Sequence, residues 1–184
     1  MLRKSEYASE EIQSIYFGGG TPTVLEVSEL DAILQTVYEH YNVSDTPEIT
    51  LEANPDDLGT EKIKALSQTK INRLSIGIQS FHESDLTAMN RAHNADEAKK
   101  CLEIATTYFD NITIDLMFGM PTMSVALWRQ NLQTAFGFGI KHLSCYALTV
   151  EPKTALEHFI NKGSHPPMDD ELAAKHFEVL LQET

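Results

Sequence analysis

Asp115 stands inside an otherwise apolar run, between Ile112-Thr113-Ile114 and Leu116-Met117-Phe118. A carboxylate in such surroundings must be paired or hydrogen-bonded, so it is either a ligand-binding group or half of a structural salt bridge. Glu52, between Leu51 and Ala53 and just before Asn54-Pro55, could accept hydrogen bonds from an amine or a sugar hydroxyl. Its plain alternative is an edge carboxylate facing solvent. Gln79 closes the apolar run Leu74-Ser75-Ile76-Gly77-Ile78, and a glycine such as Gly77 within a strand often marks close approach of a ligand or backbone. Gln79 could equally be a polar strand end bonded to a loop. Arg91, in Asn90-Arg91-Ala92-His93, could clamp a carboxylate through two parallel hydrogen bonds, or could be a solvated surface residue.

A glycine-rich stretch completes the set. Gly18-Gly19-Gly20-Thr21-Pro22 directly follows an apolar run and can present backbone amides to a polar ligand. It lacks the Gly-Lys-Ser/Thr of a phosphate loop and the spacing of a dinucleotide fingerprint. A tight turn would explain one or two of these glycines, but three exceed what a turn requires. The seven histidines are scattered without a His-x-x-x-His pair and a third ligand, so no metal ligand is assigned. Cys101 and Cys145 are too few and too far apart for a zinc or iron–sulfur site. Cys101 reads as a core residue, and Met117, Met120 and Met123 as packing around a turn.

Elements that could position these residues alternate along the chain. Short β-rich runs fall at residues 14–17, 48–53, 73–79, 111–118 and 142–149. Helical patterns fill the gaps. Residues 28–41 place Leu30, Ile33, Leu34, Val37, Tyr38 and Tyr41 on one face, with Ser28 as the cap and Asp31 three residues on. Thr60 caps a shorter helix carrying Ile63 and Leu66. Further helices run from about 96 to 108, from Ser124 to the glycines 137 and 139, near 154–162, and from about 169. Serial βα units imply a parallel sheet with right-handed crossovers. Polar residues end almost every strand, the pattern of a site built at the mouth of a barrel or partial barrel rather than at one switch point of an open sheet. Residues 2–12 read as the end of a helix running straight into a strand, which implies a first strand missing upstream.

Composition narrows the function. The 184 residues are 42% hydrophobic, enough for one domain with a real core. With 14 Lys+Arg against 27 Asp+Glu the net charge is −13, which argues against nucleic acid and anionic membrane surfaces as partners. The start has no apolar stretch suited to a signal peptide, and no run approaches the ~20 apolar residues of a transmembrane helix. The expectation is a soluble, cytoplasmic protein.

Taken together, the sequence resembles the radical S-adenosylmethionine (SAM) superfamily, in its oxygen-independent coproporphyrinogen III oxidase-like branch. The resemblance runs from about Ser14 to Val150 and beyond. It rests on five ordered blocks: residues 16–23 (Tyr-Phe-Gly-Gly-Gly-Thr-Pro-Thr), 51–55 (Leu-Glu-Ala-Asn-Pro), 73–81 (Arg-Leu-Ser-Ile-Gly-Ile-Gln-Ser-Phe), 90–93 (Asn-Arg-Ala-His) and 114–121 (Ile-Asp-Leu-Met-Phe-Gly-Met-Pro). It implies an α/β fold, a partial (β/α)6-type parallel barrel with five strands present and the first missing. Residues 14–150 would supply barrel strands two to six, residues 151–184 would add C-terminal helices, and the whole would be one core fragment.

The resemblance also implies a cofactor site. Gly19, Gly20 and Thr21 would contact the methionine amino end of SAM, and Arg91 its carboxylate. Gln79 and Asp115 would reach the ribose, Glu52 would hydrogen-bond within the same site, and Ala147 would lie by the adenine. In that family SAM sits on a [4Fe-4S] cluster bound by Cys-x-x-x-Cys-x-x-Cys, and the pair generates a 5′-deoxyadenosyl radical. This chain has no such motif. The cluster is therefore expected only in a full-length protein, and this chain alone should be inactive.

Two branches fit: a haem chaperone, and a coproporphyrinogen III oxidase that decarboxylates porphyrinogen propionates. Ser80 following Gln79, where oxidases tend to carry Asp, resembles the chaperone branch. Haem or porphyrinogen would then be the partner of the full-length protein. Outside the family, a cluster-free (β/α)-barrel enzyme would want a lysine or paired carboxylates at strand ends, and the lysines lie on predicted helices or in loops before strands. A pure interaction module would leave Asp115 and the three glycines without a purpose.

Overall fold

The computed structural model describes residue 7 and residues 9–184. Strand β1 (Glu11–Phe17) leads through a 3-10 turn at Pro22–Val24 into α1 (Val27–His40). Then follow β2 (Asn42–Ala53), α2 (Thr60–Leu66), β3 (Arg73–Gln79), α3 (Glu83–Ala88), α4 (Ala95–Tyr108) and β4 (Ile112–Phe118). The chain ends with α5 (Val125–Gly137), β5 (His142–Ala147), α6 (Ala155–Asn161) and α7 (Asp170–Glu183). The five strands lie in the order β1-β2-β3-β4-β5, all parallel, and curl into a half-barrel. The partial α/β barrel expected from the sequence is the fold.

Strand periodicity divides the sheet into two chemically distinct faces. Ile49, Leu51, Leu74, Ile76, Ile78, Ile112, Ile114 and Leu116 point toward the helices and join Leu30, Leu34, Leu66, Leu102 and Trp128 in one buried core. The opposite, concave face is polar. Tyr16, Thr50 and Arg73 form one row across β1–β3, and Glu52, Ser75, Thr113 and His142 form the next across β2–β5. Arg73 ties the strands at the N-terminal end of this face. It donates to Glu48 and Thr50, each at 3.3 Å, and sits 2.9 Å from His142 Nδ1.

Several local expectations need correction. Glu11 and Ile12 belong to β1 rather than to a preceding helix, and residues 1–6 and 8, where the rest of that helix was expected, lie outside the described residues. β1 and β2 begin earlier than their apolar runs because pairing continues past them, as Glu11↔Asn42 shows. β5 stops at Ala147, two residues early. The cap of α1 is Glu26, not Ser28: Glu26 and Glu29 form a reciprocal capping box. Gly59, not Thr60, caps α2. Ile33 is 44% exposed instead of facing the core. The inward faces of α4 and α5 are as expected, with Ala98, Cys101, Leu102, Ala105, Trp128, Leu132 and Ala135 all buried. Met120 and Met123 are buried as well. Among the described residues no helix is long and apolar enough to cross a membrane.

Candidate cofactor site at the barrel mouth

Because all five strands run in parallel, their C-terminal ends share one edge of the sheet. β1 delivers the glycine loop there. Gly19 and Gly20 have φ of +81° and +122°, conformations that an L side chain resists, and neither is covered by a neighbouring atom on its open side. The loop is anchored from below: buried Thr23 donates from Oγ1 to Asp57 at 3.2 Å, and Lys62 Nζ donates to the Thr23 carbonyl. Thr21 caps the 3-10 turn that follows, which fixes its place.

Glu52 ends β2 directly beside this loop. Its Oε1 accepts from the Tyr16 phenol at 2.7 Å and its Oε2 from the Gly19 amide at 3.1 Å. Partial burial, and donation to Glu52, hold the Tyr16 phenol above its ordinary pKa. The carboxylate therefore organises the loop as well as facing the mouth.

On β3 the ladder to β4 slips between Ile76 and Gln79, so β3 holds one residue more than its partner. The bulge turns Gln79 out of simple alternation, and its φ is +66°. A Cβ on Gly77 would lie 3.0 Å from Gln79 Nε2, 3.3 Å from Asn54 Oδ1 and 3.6 Å from Arg91 Nη2. Gly77 is thus the floor on which these three polar side chains meet. Arg91 Nη2 donates to Asn54 at 2.7 Å, while its buried Nε has no hydrogen-bond partner. One guanidinium edge remains to be satisfied.

Asp115 lies on β4 beside Ser144 of β5. Burial raises its carboxyl above the ordinary value, and Glu52 adds to the rise; Ser144, Arg91 and His142 pull the other way. Glu52, Arg91 and Asp115 are thus close enough to share one electrostatic environment. Ala147 ends β5 opposite Phe118 and is exposed. An open cavity of about 570 Å³ continues from Gln79 and Arg91 between Met117, Met120, Leu148 and Phe159.

The sequence profile of the Radical SAM superfamily matches residues 1–135. The chain belongs to the radical SAM superfamily. It is 36% identical over 175 residues to the heme chaperone HemW of Bacillus subtilis (strain 168), covering 93% of this chain and 46% of that protein. It is 35% identical over 170 residues to the mitochondrial radical S-adenosyl methionine domain-containing protein 1 of Mus musculus, covering 92% of this chain and 38% of the other. The chain spans less than half the length of these curated relatives. Coproporphyrinogen III oxidase (HemN) from Escherichia coli superposes with a TM-score of 0.83 over 98% of this chain and 43% of its own, at 22% identity. That last likeness shows the fold alone.

Radical SAM proteins use SAM and a [4Fe-4S] cluster, and the residues here fit the two groups differently. The unpaired Arg91 Nε suits the carboxylate of SAM, and the uncovered backbone at Gly19 and Gly20 leaves room for its amino end. The cluster does not fit this chain's thiols. Burial pushes Cys101 up to about 12 and Cys145 to about 11, so neither is a thiolate at neutral pH. They also lie on α4 and β5, away from the glycine loop.

Sequence reading left four residues unassigned: Tyr16, donor to Glu52; Asn54, acceptor for Arg91; His93, donor to the Ile78 carbonyl; and buried Asn131, acceptor for the Phe81 amide. Tyr16 and Asn54 lie within the family-like blocks and could have been found there. Asn131 sits mid-helix with no sequence signal at all.

Proposed function

We propose that the chain is the SAM-holding core of a radical SAM protein that handles haem, of the chaperone type, and that it acts within a longer protein carrying the cluster. The observation that carries this is the Arg91–Asn54–Gln79 cluster over Gly77, in which the buried Arg91 Nε is unpaired. In this reading Arg91 binds the SAM carboxylate, and Gly19, Gly20 and Thr21 meet its amino end. Gln79 and Asp115 reach the ribose, Glu52 holds the loop in place, and Ala147 lies by the adenine. SAM, when bound with its cluster, supplies the radical chemistry; these side chains bind and orient it.

Residues 11–147 supply the barrel strands. Residues 151–184 close one side, α7 packing on α5 through the Trp128 Nε1 to His176 carbonyl bond of 2.8 Å. The chaperone assignment rests on the relatives named above. Ser80 carries less of it than the sequence suggested: it is fully buried, so its identity reports packing behind Gln79 rather than contact with a substrate.

The test is SAM binding by calorimetry in the full-length, cluster-loaded protein. Arg91→Ala should weaken SAM at least about tenfold, the scale of one charge-assisted bidentate contact. Unchanged affinity would remove Arg91 from the site. Haem titration followed by visible absorbance separates the branches: stoichiometric binding without porphyrinogen decarboxylation supports the chaperone, and decarboxylation supports the oxidase.

A further inference from the structure

Gln79 occupies a backbone conformation that few non-glycine residues adopt. Its φ is +66° and the Ser80 amide donates back to the Ile78 carbonyl at 2.8 Å, which makes Gln79 the centre of a positive-φ γ-turn. Such turns are rare and strained, and persist only when their surroundings over-determine them. The surroundings here are specific. Ser80 Oγ donates to Asp85 Oδ2 at 2.7 Å and accepts from Asn131 Nδ2 and from the His82 amide, both at 3.1 Å. Asn131 Oδ1 accepts the Phe81 amide at 2.7 Å. Ser80, Asp85 and Asn131 are each 0% exposed. From the other side His93, 2% exposed, donates from Nε2 to the Ile78 carbonyl at 3.1 Å.

The network also reaches Arg91. Asp85 lies on α3, whose C-terminal end leads into Arg91, and the Arg91 amide donates to the Leu86 carbonyl at 2.9 Å. One buried cluster thus fastens the turn bearing Gln79 and the helix preceding Arg91 to α5.

We infer that Asn131, together with Ser80 and Asp85, is a positioning residue of the cofactor site, acting through Gln79 by holding its strained turn closed. This rests on the SAM-site reading of Gln79. None of the three faces the barrel mouth; Asp85 also lies on the helix that leads to Arg91, but Asn131 bonds to Ser80 and Phe81, so its effect on a ligand passes through the turn.

A double-mutant cycle in the full-length, cluster-loaded protein tests it, with SAM affinity by calorimetry and amide exchange across residues 78–82 as readouts. Asn131→Ala should weaken SAM about tenfold and speed exchange at Phe81, while exchange in α4 stays unchanged. In a Gln79→Ala background, Asn131→Ala should cost no further affinity. If Asn131→Ala does not fold, Ser80→Ala enters the same cycle with the same expectation. Losses that add independently, or SAM affinity unmoved by both Asn131→Ala and Ser80→Ala when Gln79→Ala weakens it, would overturn the inference while leaving the SAM site standing. Gln79→Ala with unchanged SAM affinity would instead overturn the SAM-site reading of Gln79, and this inference with it.

Discussion

Tyr16 and Glu52 meet across β1 and β2 through a 2.7 Å hydrogen bond from the phenol to Oε1, leaving Oε2 for the Gly19 amide. The glycine loop is therefore held by a side chain from the neighbouring strand rather than by its own turn. Glu52→Ala should release the loop, weakening SAM in the full-length protein about tenfold. Both bonds are solvent-accessible, so the loss of stability in urea unfolding should stay near ~1 kcal/mol. Tyr16→Phe should show a smaller loss of affinity, because the Gly19 bond survives it.

Gly77→Ala separates binding from folding. The added methyl would press on the ends of Gln79 and Asn54, at 3.0 and 3.3 Å, and touch Arg91 at 3.6 Å. SAM affinity should fall about tenfold or more, while stability changes by no more than ~1 kcal/mol. A large drop in melting temperature with intact affinity would show that Gly77 serves the sheet and not the site.

Asp115 predicts an opposition between stability and binding. Its folded-state carboxyl is raised above its ordinary value of 3.8, chiefly by burial. The stability linked to its proton is present below that ordinary value and lost as pH rises through the folded value. Asp115→Asn, uncharged throughout, should therefore melt higher than the unmodified chain at pH 7, the difference fading toward pH 4. The same substitution, like Asp115→Ala, should weaken SAM in the full-length protein and leave iron content unchanged. Thermal scans at both pH values and calorimetry check the two halves.

His176 carries the reverse sign. Burial lowers its pKa below 6.5, with the Met123 carbonyl and Asp85 opposing, and its Nδ1 accepts the Gly119 amide at 3.0 Å. The stability of its neutral form is present above 6.5 and lost as pH falls through the folded value. Acidification should loosen α7 from the turn after β4. His176→Leu should be less stable at pH 7 and less sensitive to acid, read by amide exchange in α7.

Anaerobic reconstitution of this chain alone with iron and sulfide should yield no stoichiometric cluster absorbance, since Cys101 is buried, Cys145 is partly buried and both thiols are protonated at neutral pH. Stoichiometric [4Fe-4S] on this chain would mean that ligands other than Cys101 and Cys145 bind iron.

The sequence alone determined that its polar strand residues would share one face and edge of the sheet. Parallel strands have a common polarity, so polar residues late in successive apolar runs, such as Glu52 and Gln79, must gather at one sheet edge whatever the details of packing. Helix faces with strong periodicity, as in α4, were equally legible. Which way individual groups point was decided by tertiary structure. The register slip before Gln79 reverses the alternation that sequence predicts, and only pairing with β4 reveals it. Edge pairing lengthened β1 and β2 past their apolar runs, because backbone hydrogen bonds do not require apolar side chains. Glu26 displaced Ser28 as the cap of α1 because its reciprocal bond with Glu29 sets the start of the helix. Asn131 meets Ser80 across 51 positions of chain, a distance over which no local pattern carries information. A buried amide of this kind becomes intelligible only when the turn it holds is in view.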